Sequence, residues 1–151
     1  MPFVIAKVNV PVSKEQETKI KSLIGKAIES VPGKNENYLL FGIEDNYRFY
    51  LRGNGELKAA YIQADIFGNE DHIGFDRFGE GITAAFGSVL GIPPENIYIK
   101  FDDIKAWSVG GQFEGDMENG YVSVGNGISH IHEIKSAKAI IDELTADYKT
   151  V

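Results

Sequence analysis

The chain contains no cysteine and only three histidines among its 151 residues. The lack of cysteine excludes a disulfide framework, thiolate catalysis and cysteine-ligated zinc. His130 and His132, next to Glu133, share a face only if the segment is a strand, because residues two apart diverge on a helix. Without a third protein ligand beside them, the pair predicts surface or packing residues. We therefore expect no metal and no cofactor.

Positive charge and long apolar runs are also scarce. The sequence has 15 lysines and arginines and 22 aspartates and glutamates, which gives a net charge of −7. That balance argues against a general nucleic-acid binder and a polybasic membrane binder. No apolar run approaches the roughly 20 residues of a membrane span, and no signal segment opens the sequence. We expect a cytoplasmic protein with neither nucleic acid nor membrane as partner, and leaderless secretion stays open.

The opening segment, residues 1–11, predicts a strand, with a proline directly behind the initiator methionine. Removal of Met1 would make Pro2 a free secondary amine. An α-amino group titrates at about 7.7–8.0, and burial or a nearby cation lowers that pKa. Such an amine is a base suited to neutral pH. The alternative is that Pro2 only caps an edge strand, and its position alone favours this alternative.

A helix follows the first strand, and a second strand follows the helix. Ser13 and Gln16 form a capping box, and Pro32 with Gly33 ends the helix. Residues 37–43 then predict a strand. Strand, helix and strand in this order form a βαβ unit, whose two strands are parallel. The apolar helix face consists of Ile20, Leu23, Ile24, Ala27, Ile28 and Val31.

The unit recurs after a short predicted edge strand at 46–51. Residues 58–67 predict a strand, a glycine-containing helix follows, and residues 93–101 predict another strand that is entered through a turn. Two such units predict an α+β fold, with a four-stranded sheet and both helices on one face. The apolar face of the second helix consists of Phe75, Phe78, Ile82, Ala85, Phe86, Val89 and Leu90.

The first strand is apolar on both faces, with Val4 and Ala6 on one face and Phe3 and Ile5 on the other. Two helices cover one face only. A sheet that is apolar on both sides must be covered on both. We therefore expect other copies of the chain to cover the second face in a closed ring.

Residues 116–151 follow this first domain, residues 1–115, as a carboxyl-terminal extension. Residues 121–124 predict a short strand, and an apolar stripe predicts one helix that begins at Ser129 or Ser136. The stripe must be covered. The helix would dock on its own subunit or across a neighbour. Docking across a neighbour would stiffen the oligomer and restrict access of large molecules, and the favoured alternative is a structural patch with no effect on chemistry.

Residues 1 to about 111 resemble macrophage migration inhibitory factor and D-dopachrome tautomerase, of the tautomerase superfamily. The segment Trp107-x-Val109-Gly110 is more similar to the D-dopachrome branch. No single motif is specific, whereas their order and spacing together are. The matching residues are Pro2, Asn9-Val10-Pro11, Gly33-Lys34, Tyr38, Glu56, Ile66, Asn96-Ile97-Tyr98-Ile99, Asp103 and Val109-Gly110.

The resemblance implies a homotrimer that tautomerises keto and enol forms of phenylpyruvate-like aromatic 2-keto acids. Pro2 would be the catalytic general base and then acid. The implied substrate-binding residues are Lys34 and Ile66 of the same subunit, Tyr98 and Lys100 of a neighbour, and Tyr38 and Val109 along the pocket wall. The other interpretation is a non-catalytic, trimeric, cytokine-like binding or signalling protein. Removal or retention of Met1 discriminates between the two.

Two departures and several alternatives accompany the resemblance. The chain has Lys58-Ala59-Ala60-Tyr61 where the vertebrate cytokine has Cys-x-x-Cys, so no thiol-redox activity is implied. Lys100 stands where the family often has an amide, which would favour dianionic or more polar acids. Lys34 could instead complement a helix dipole. Lys100 could be a solvent-facing strand residue, and Tyr38 and Tyr98 ordinary strand aromatics.

Overall fold

The computed structural model describes residues 1–109 and 112–114. The predictions for residues 116–151, which include the short strand, the helix and the two neighbouring histidines, lie outside this part of the chain. The described elements are β1 (Pro2–Val8), α1 (Lys14–Ala27), β2 (Leu40–Glu44), β3 (Ala60–Phe67), α2 (Phe75–Leu90), β4 (Ile97–Ile104), β5 (Trp107–Val109) and β6 (Gln112–Glu114).

The sheet has four strands in the order β2-β1-β3-β4. β1 is parallel to β2, and β3 is parallel to β4. The two halves meet in the middle, where β1 and β3 pair antiparallel with Pro2 opposite Ile66. The two predicted βαβ units are thereby confirmed, and the α+β fold class with them.

Both helices form as the sequence predicts. The hydroxyl of Ser13 accepts from the Gln16 backbone N–H at 3.2 Å, and the Gln16 side chain accepts from the Ser13 N–H at 2.9 Å. This reciprocal pair satisfies two of the N–H groups that a helix start leaves unpaired. α1 and α2 cover one face of the sheet, and the core lies between. Its largest fully buried side chains are Phe78, Phe86, Ile20, Ile24, Ile28, Ile62, Ile66, Ile82, Ile92, Val4, Val8 and Val31.

The two helices touch at a glycine. A Cβ atom built on Gly81 of α2 would lie 2.6 Å from the Cβ of Ala27 on α1. Real Cβ atoms do not approach so closely, so the glycine sets the distance between the helices. Gly79, two residues earlier, faces Phe101 at an ordinary 3.7 Å. The close helix contact therefore requires a glycine at position 81 but not at position 79.

The opposite face of the sheet is not covered by either helix. Phe3 and Ile5 of β1 are partly exposed, and Leu40 at the start of β2 is 63% exposed. Apolar side chains in water do not contribute the free energy that their burial would, about 25 cal/mol per Å². This open face is the surface where the sequence predicts contact with other copies.

Two local predictions need correction, and one hairpin lay outside the predictions. β2 begins at Leu40 rather than at residue 37, because Glu36–Tyr38 form a 3₁₀ turn whose start is capped by the Asn35 side chain. Residues 46–51 do not form a strand; only an isolated bridge joins Leu51 to Asn54. Left-handed backbone at Asn46 (φ 53°) interrupts the extended conformation there. The β5–β6 hairpin was not predicted.

Candidate functional site

Pro2 lies at the first position of β1 and is buried. Ile66 of β3, which is fully buried, is its partner across the antiparallel pair. The described chain carries Met1, so the nitrogen of Pro2 is an amide and has no basic lone pair. The carbonyl oxygen of Met1 accepts a 3.3 Å hydrogen bond from the Phe67 N–H. Removal of Met1 would expose the Pro2 nitrogen and would also release the Phe67 N–H from this hydrogen bond.

Lys34 reaches the same place from the turn that follows α1. Gly33 adopts a left-handed φ of 71°, and the Lys34 N–H donates to the Val31 carbonyl at 3.1 Å. These two features reverse the chain direction. The Lys34 ammonium then donates a 2.6 Å hydrogen bond to the carbonyl of Phe67, the last residue of β3. A cation is thus placed beside the residue that follows Ile66.

The strand directions determine which other predicted substrate-binding residues lie at this end of the sheet. β3 and β4 end where β1 and β2 begin. Tyr38 lies two residues before β2 and is 60% exposed, and Val109 is the last residue of β5 and is 48% exposed. Pro2, Lys34, Ile66 and Tyr38 therefore share one end of the sheet, and β4, which leads to β5 and Val109, ends there too.

A histidine at the same end was missed by the sequence analysis. Nε2 of His72 lies 3.5 Å from Oδ2 of Asp103, which is registered with Ile66 on the neighbouring strand. The His72 ring stacks on Phe75 with centroids 5.1 Å apart, and its backbone has a left-handed φ of 56°. Thirty-one positions separate His72 from Asp103 in the sequence, and no local motif marks the pair.

Tyr98 and Lys100 lie away from the end of the sheet that holds Pro2. They are registered with Tyr61 and Gln63 on β3, and Tyr61 is five positions from Ile66. At about 3.3 Å per residue, Tyr98 is roughly 16 Å from the level of Pro2 along the sheet. A single subunit therefore does not unite the two groups of predicted residues.

A cavity of about 500 Å³ surrounds this second group. Its walls come from β3, β4 and the loop before residue 52, and are mainly aromatic and aliphatic: Phe49, Tyr50, Leu51, Tyr61, Tyr98 and Ile99. Lys100 is the single charged residue among those that line it. An aromatic ring with a polar substituent matches this composition.

The ammonium of Lys100 is engaged by an aspartate. It lies 2.7 Å from Oδ2 of Asp102, two residues on and on the same face of β4. The hydrogen bond from Lys100 to Asp102 raises the pKa of Lys100 above its usual value, and the charges of Asp102, Tyr61 and Asp65 act in the same direction. Lys100 is therefore a cation at neutral pH with at least one of its three donors occupied.

The described residues contain neither a metal-binding cluster nor a membrane-spanning helix. Within 1–109 and 112–114, no group of three His, Asp or Glu side chains is arranged to hold a metal ion. Neither helix of this part of the chain is long and apolar enough to cross a membrane.

Comparison with known proteins gives a result at the level of structure only. No family model matches the sequence, and no curated protein matches it. Solved structures do match. Leishmania major MIF2 superposes with a TM-score of 0.70 at 23% identity, over 76% of this chain and 97% of that chain.

Further solved structures agree with this result. The macrophage migration inhibitory factor homologue from Prochlorococcus marinus gives a TM-score of 0.67 at 24% identity, over 75% of this chain and 99% of that one. A fused 4-OT symmetric trimer gives 0.60 at 10% identity, over 68% and 85%. The chain thus has the fold shared by these proteins.

Proposed function

We propose that this chain, which has the fold of the macrophage migration inhibitory factor structures, is a keto–enol tautomerase with Pro2 as its acid–base group. The observation that carries the proposal is the meeting of Pro2, Ile66 and the Lys34 ammonium at one end of the sheet. The resemblance in sequence implies the same three residues, and the likeness in fold supports a tautomerase-like architecture around them. The substrates we propose are phenylpyruvate-like aromatic 2-keto acids.

Each group has a task in the reaction. Lys34 binds the substrate carboxylate, because an ammonium forms a charge-assisted hydrogen bond with it. The Pro2 amine removes a proton from carbon 3 of the keto acid, the C–H electrons form the carbon–carbon double bond, the carbonyl π electrons move to the oxygen, and the prolinium delivers the same proton to that oxygen. In the reverse direction the Pro2 amine takes the proton from the enol oxygen and the prolinium returns it to carbon 3. One group thus acts first as base and then as acid.

The environment of Pro2 favours this role once Met1 is removed. Burial disfavours the charged form of an amine, and the nearby Lys34 cation does the same. Both effects lower the pKa of the amine toward neutrality, where a general base is most effective. The Phe67 N–H, which in the described chain donates to the Met1 carbonyl, becomes a donor for a substrate oxygen.

The aryl group of the substrate would occupy a second subunit's cavity. Tyr98 and Lys100 line an aromatic cavity that is distant from Pro2 within one chain. A homotrimer, in which the open sheet faces turn inward, would bring the cavity of one subunit against the Pro2 end of the next. The partly exposed Phe3, Ile5 and Leu40 support such contact, and one solved structure with this fold is described as a symmetric trimer.

Two measurements on the native protein test the proposal. Mass spectrometry determines whether Met1 is removed, and absorbance follows the enol–keto conversion of phenylpyruvate. We expect a mass that lacks methionine and a measurable conversion rate. A processed protein with no activity on phenylpyruvate or related keto acids would contradict the proposal.

The state of Met1 separates this function from a second one. With Met1 attached, as in the described chain, the nitrogen of Pro2 is an amide and the carbonyl of Met1 pairs with Phe67. A chain that keeps Met1 would be a trimeric, cytokine-like binding or signalling protein without turnover. The same mass measurement separates the two functions.

A further inference from the structure

We propose that Asp102 determines specificity at the far end of the substrate: it positions Lys100 to bind a neutral hydrogen-bond acceptor and disfavours a second carboxylate. The inference rests on the proposed function, since it concerns the aryl end of the same substrate. The substrate class is an aryl keto acid whose distal group is an amide, carbonyl, ether or hydroxyl.

The contacts around Lys100 form a chain of polar groups. Asp102 accepts from Lys100 at 2.7 Å and from Nε2 of Gln63 at 3.2 Å. The same Gln63 nitrogen lies 2.9 Å from Oδ1 of Asp65. All four side chains point to the open face of the sheet and sit on the paired strands β3 and β4. Asp102 is therefore held from two sides, and Lys100 is held through it.

The formal charges of this cluster decide which ligand group it accepts. One ammonium and two carboxylates sum to −1. A distal carboxylate would have to share Lys100 with Asp102 and would lie close to a like charge. Two like charges at such short range repel each other. A neutral acceptor receives a charge-assisted hydrogen bond from Lys100 without that repulsion.

Of the two kinds of substrate that the sequence implied, dianionic acids and more polar acids, the geometry thus favours the more polar ones. A lysine in place of an amide suggests an anion site when its neighbours are unknown. The spacing of two residues between Lys100 and Asp102 does not by itself predict their contact, because an exposed lysine can also extend into solvent. The contact between the two side chains makes Lys100 a fixed donor rather than an uncompensated cation.

Two inert acids of matched shape test the inference on the full chain. They are 3-(4-carbamoylphenyl)propanoate and 3-(4-carboxyphenyl)propanoate, which differ in the charge of the distal group. Calorimetry gives the two dissociation constants. We expect the amide to bind about tenfold more tightly, and the difference to shrink as salt screens the charges. Equal binding, or tighter binding of the dicarboxylate, would overturn the inference.

Variants assign the effect to Asp102. In Asp102→Asn the preference for the amide should fall about tenfold, because one negative charge is removed and the size is kept. Glu29→Gln is the control, since it makes the same charge change at an exposed position outside the cavity, and it should keep the wild-type preference. A fall of equal size in both variants would mean that overall charge, not Asp102, sets the preference.

The Lys100→Met variant shows whether Asp102 acts by positioning Lys100 or by repelling the distal carboxylate directly. If Asp102 acts through Lys100, the effect of Asp102→Asn should be much smaller when Lys100 is already replaced. An identical effect in both backgrounds would remove the positioning role.

The outcome is independent of turnover, because neither inert acid requires a basic Pro2. A chain that selects the amide yet fails to convert phenylpyruvate would refute the proposed function and keep the inference. A chain that converts phenylpyruvate without selecting the amide would do the opposite. If neither acid binds at millimolar concentration, the inference fails as well.

Discussion

The ammonium of Lys34 donates a 2.6 Å hydrogen bond to the carbonyl oxygen of Phe67, 33 residues further along the chain. Phe67 is also the residue whose N–H donates to Met1. One residue at the end of β3 therefore connects the lysine and the amino terminus. A substrate carboxylate that reaches Lys34 would lie beside the nitrogen of Pro2, which is the placement that a proton transfer requires.

Replacement of Pro2 by glycine should lower kcat/KM for phenylpyruvate about 100-fold or more. The variant keeps an amine at the amino terminus but loses the conformationally fixed secondary amine, and general acid–base catalysis contributes about 10²–10⁴-fold. The enol–keto absorbance assay gives the rates. Pro11→Gly, at an exposed position beyond the other end of β1, is the control and should retain activity. Wild-type rates in Pro2→Gly, or in protein that still carries Met1, would exclude Pro2 as the base.

Replacement of Lys34 by alanine should weaken the binding of keto acids more than the binding of their esters. A hydrogen bond to a charged group contributes roughly 1.5–3 kcal/mol, so KM for the acid should rise about tenfold or more. Lys26→Ala, an exposed lysine in the last turn of α1, is the matched control. Equal losses for acid and ester would show that Lys34 does not bind the carboxylate.

Subunit mixing tests whether the site is shared. Tyr98 and Pro2 are distant in one chain, so inactive Pro2→Gly and Tyr98→Ala subunits should regain part of the activity when they are unfolded and refolded together. Mixed trimers would contain some sites that combine the unaltered Pro2 of a Tyr98→Ala subunit with the unaltered Tyr98 of a Pro2→Gly subunit. Sedimentation equilibrium should give a trimer at micromolar concentration. A monomer, or mixtures no more active than their parents, would rule out a shared site.

Two glycines of α2 should respond in opposite ways to alanine. Gly79→Ala should stabilise the protein by about 0.5–1 kcal/mol, because alanine favours the helix and its Cβ meets only ordinary contacts. Gly81→Ala should destabilise it by about 1–3 kcal/mol, since the new Cβ collides with Ala27. Urea unfolding at matched protein concentration measures both changes.

A compensating substitution checks the cause. Ala27→Gly removes the atom that Gly81→Ala would strike, so the double variant should lose less stability than the sum of the two single variants. Additive losses would mean that the helices do not pack as described.

Periodic patterns predicted the helices, their buried faces and the parallel strand pairs. The Ser13 capping box and the apolar stripes of α1 and α2 are local features, and the structure confirms them. The start of β2 was predicted three residues early, because the Asn35-capped turn at Glu36–Tyr38 competes with extended structure. Residues 46–51 were predicted as a strand because local apolar composition does not reveal the left-handed conformation at Asn46.

The sequence by itself determined the two βαβ units, the excess of negative charge, the absence of thiol chemistry and the proline at position 2. Each of these follows from residue identity or from spacing within one element. Only the tertiary structure decided that Lys34 meets Phe67, that His72 meets Asp103 and that Lys100 is held by Asp102. Side-chain contacts of this kind depend on strand register, chain reversals and the choice among many rotamers. No local pattern in the sequence encodes them, because the free energy that selects them comes from packing the whole domain.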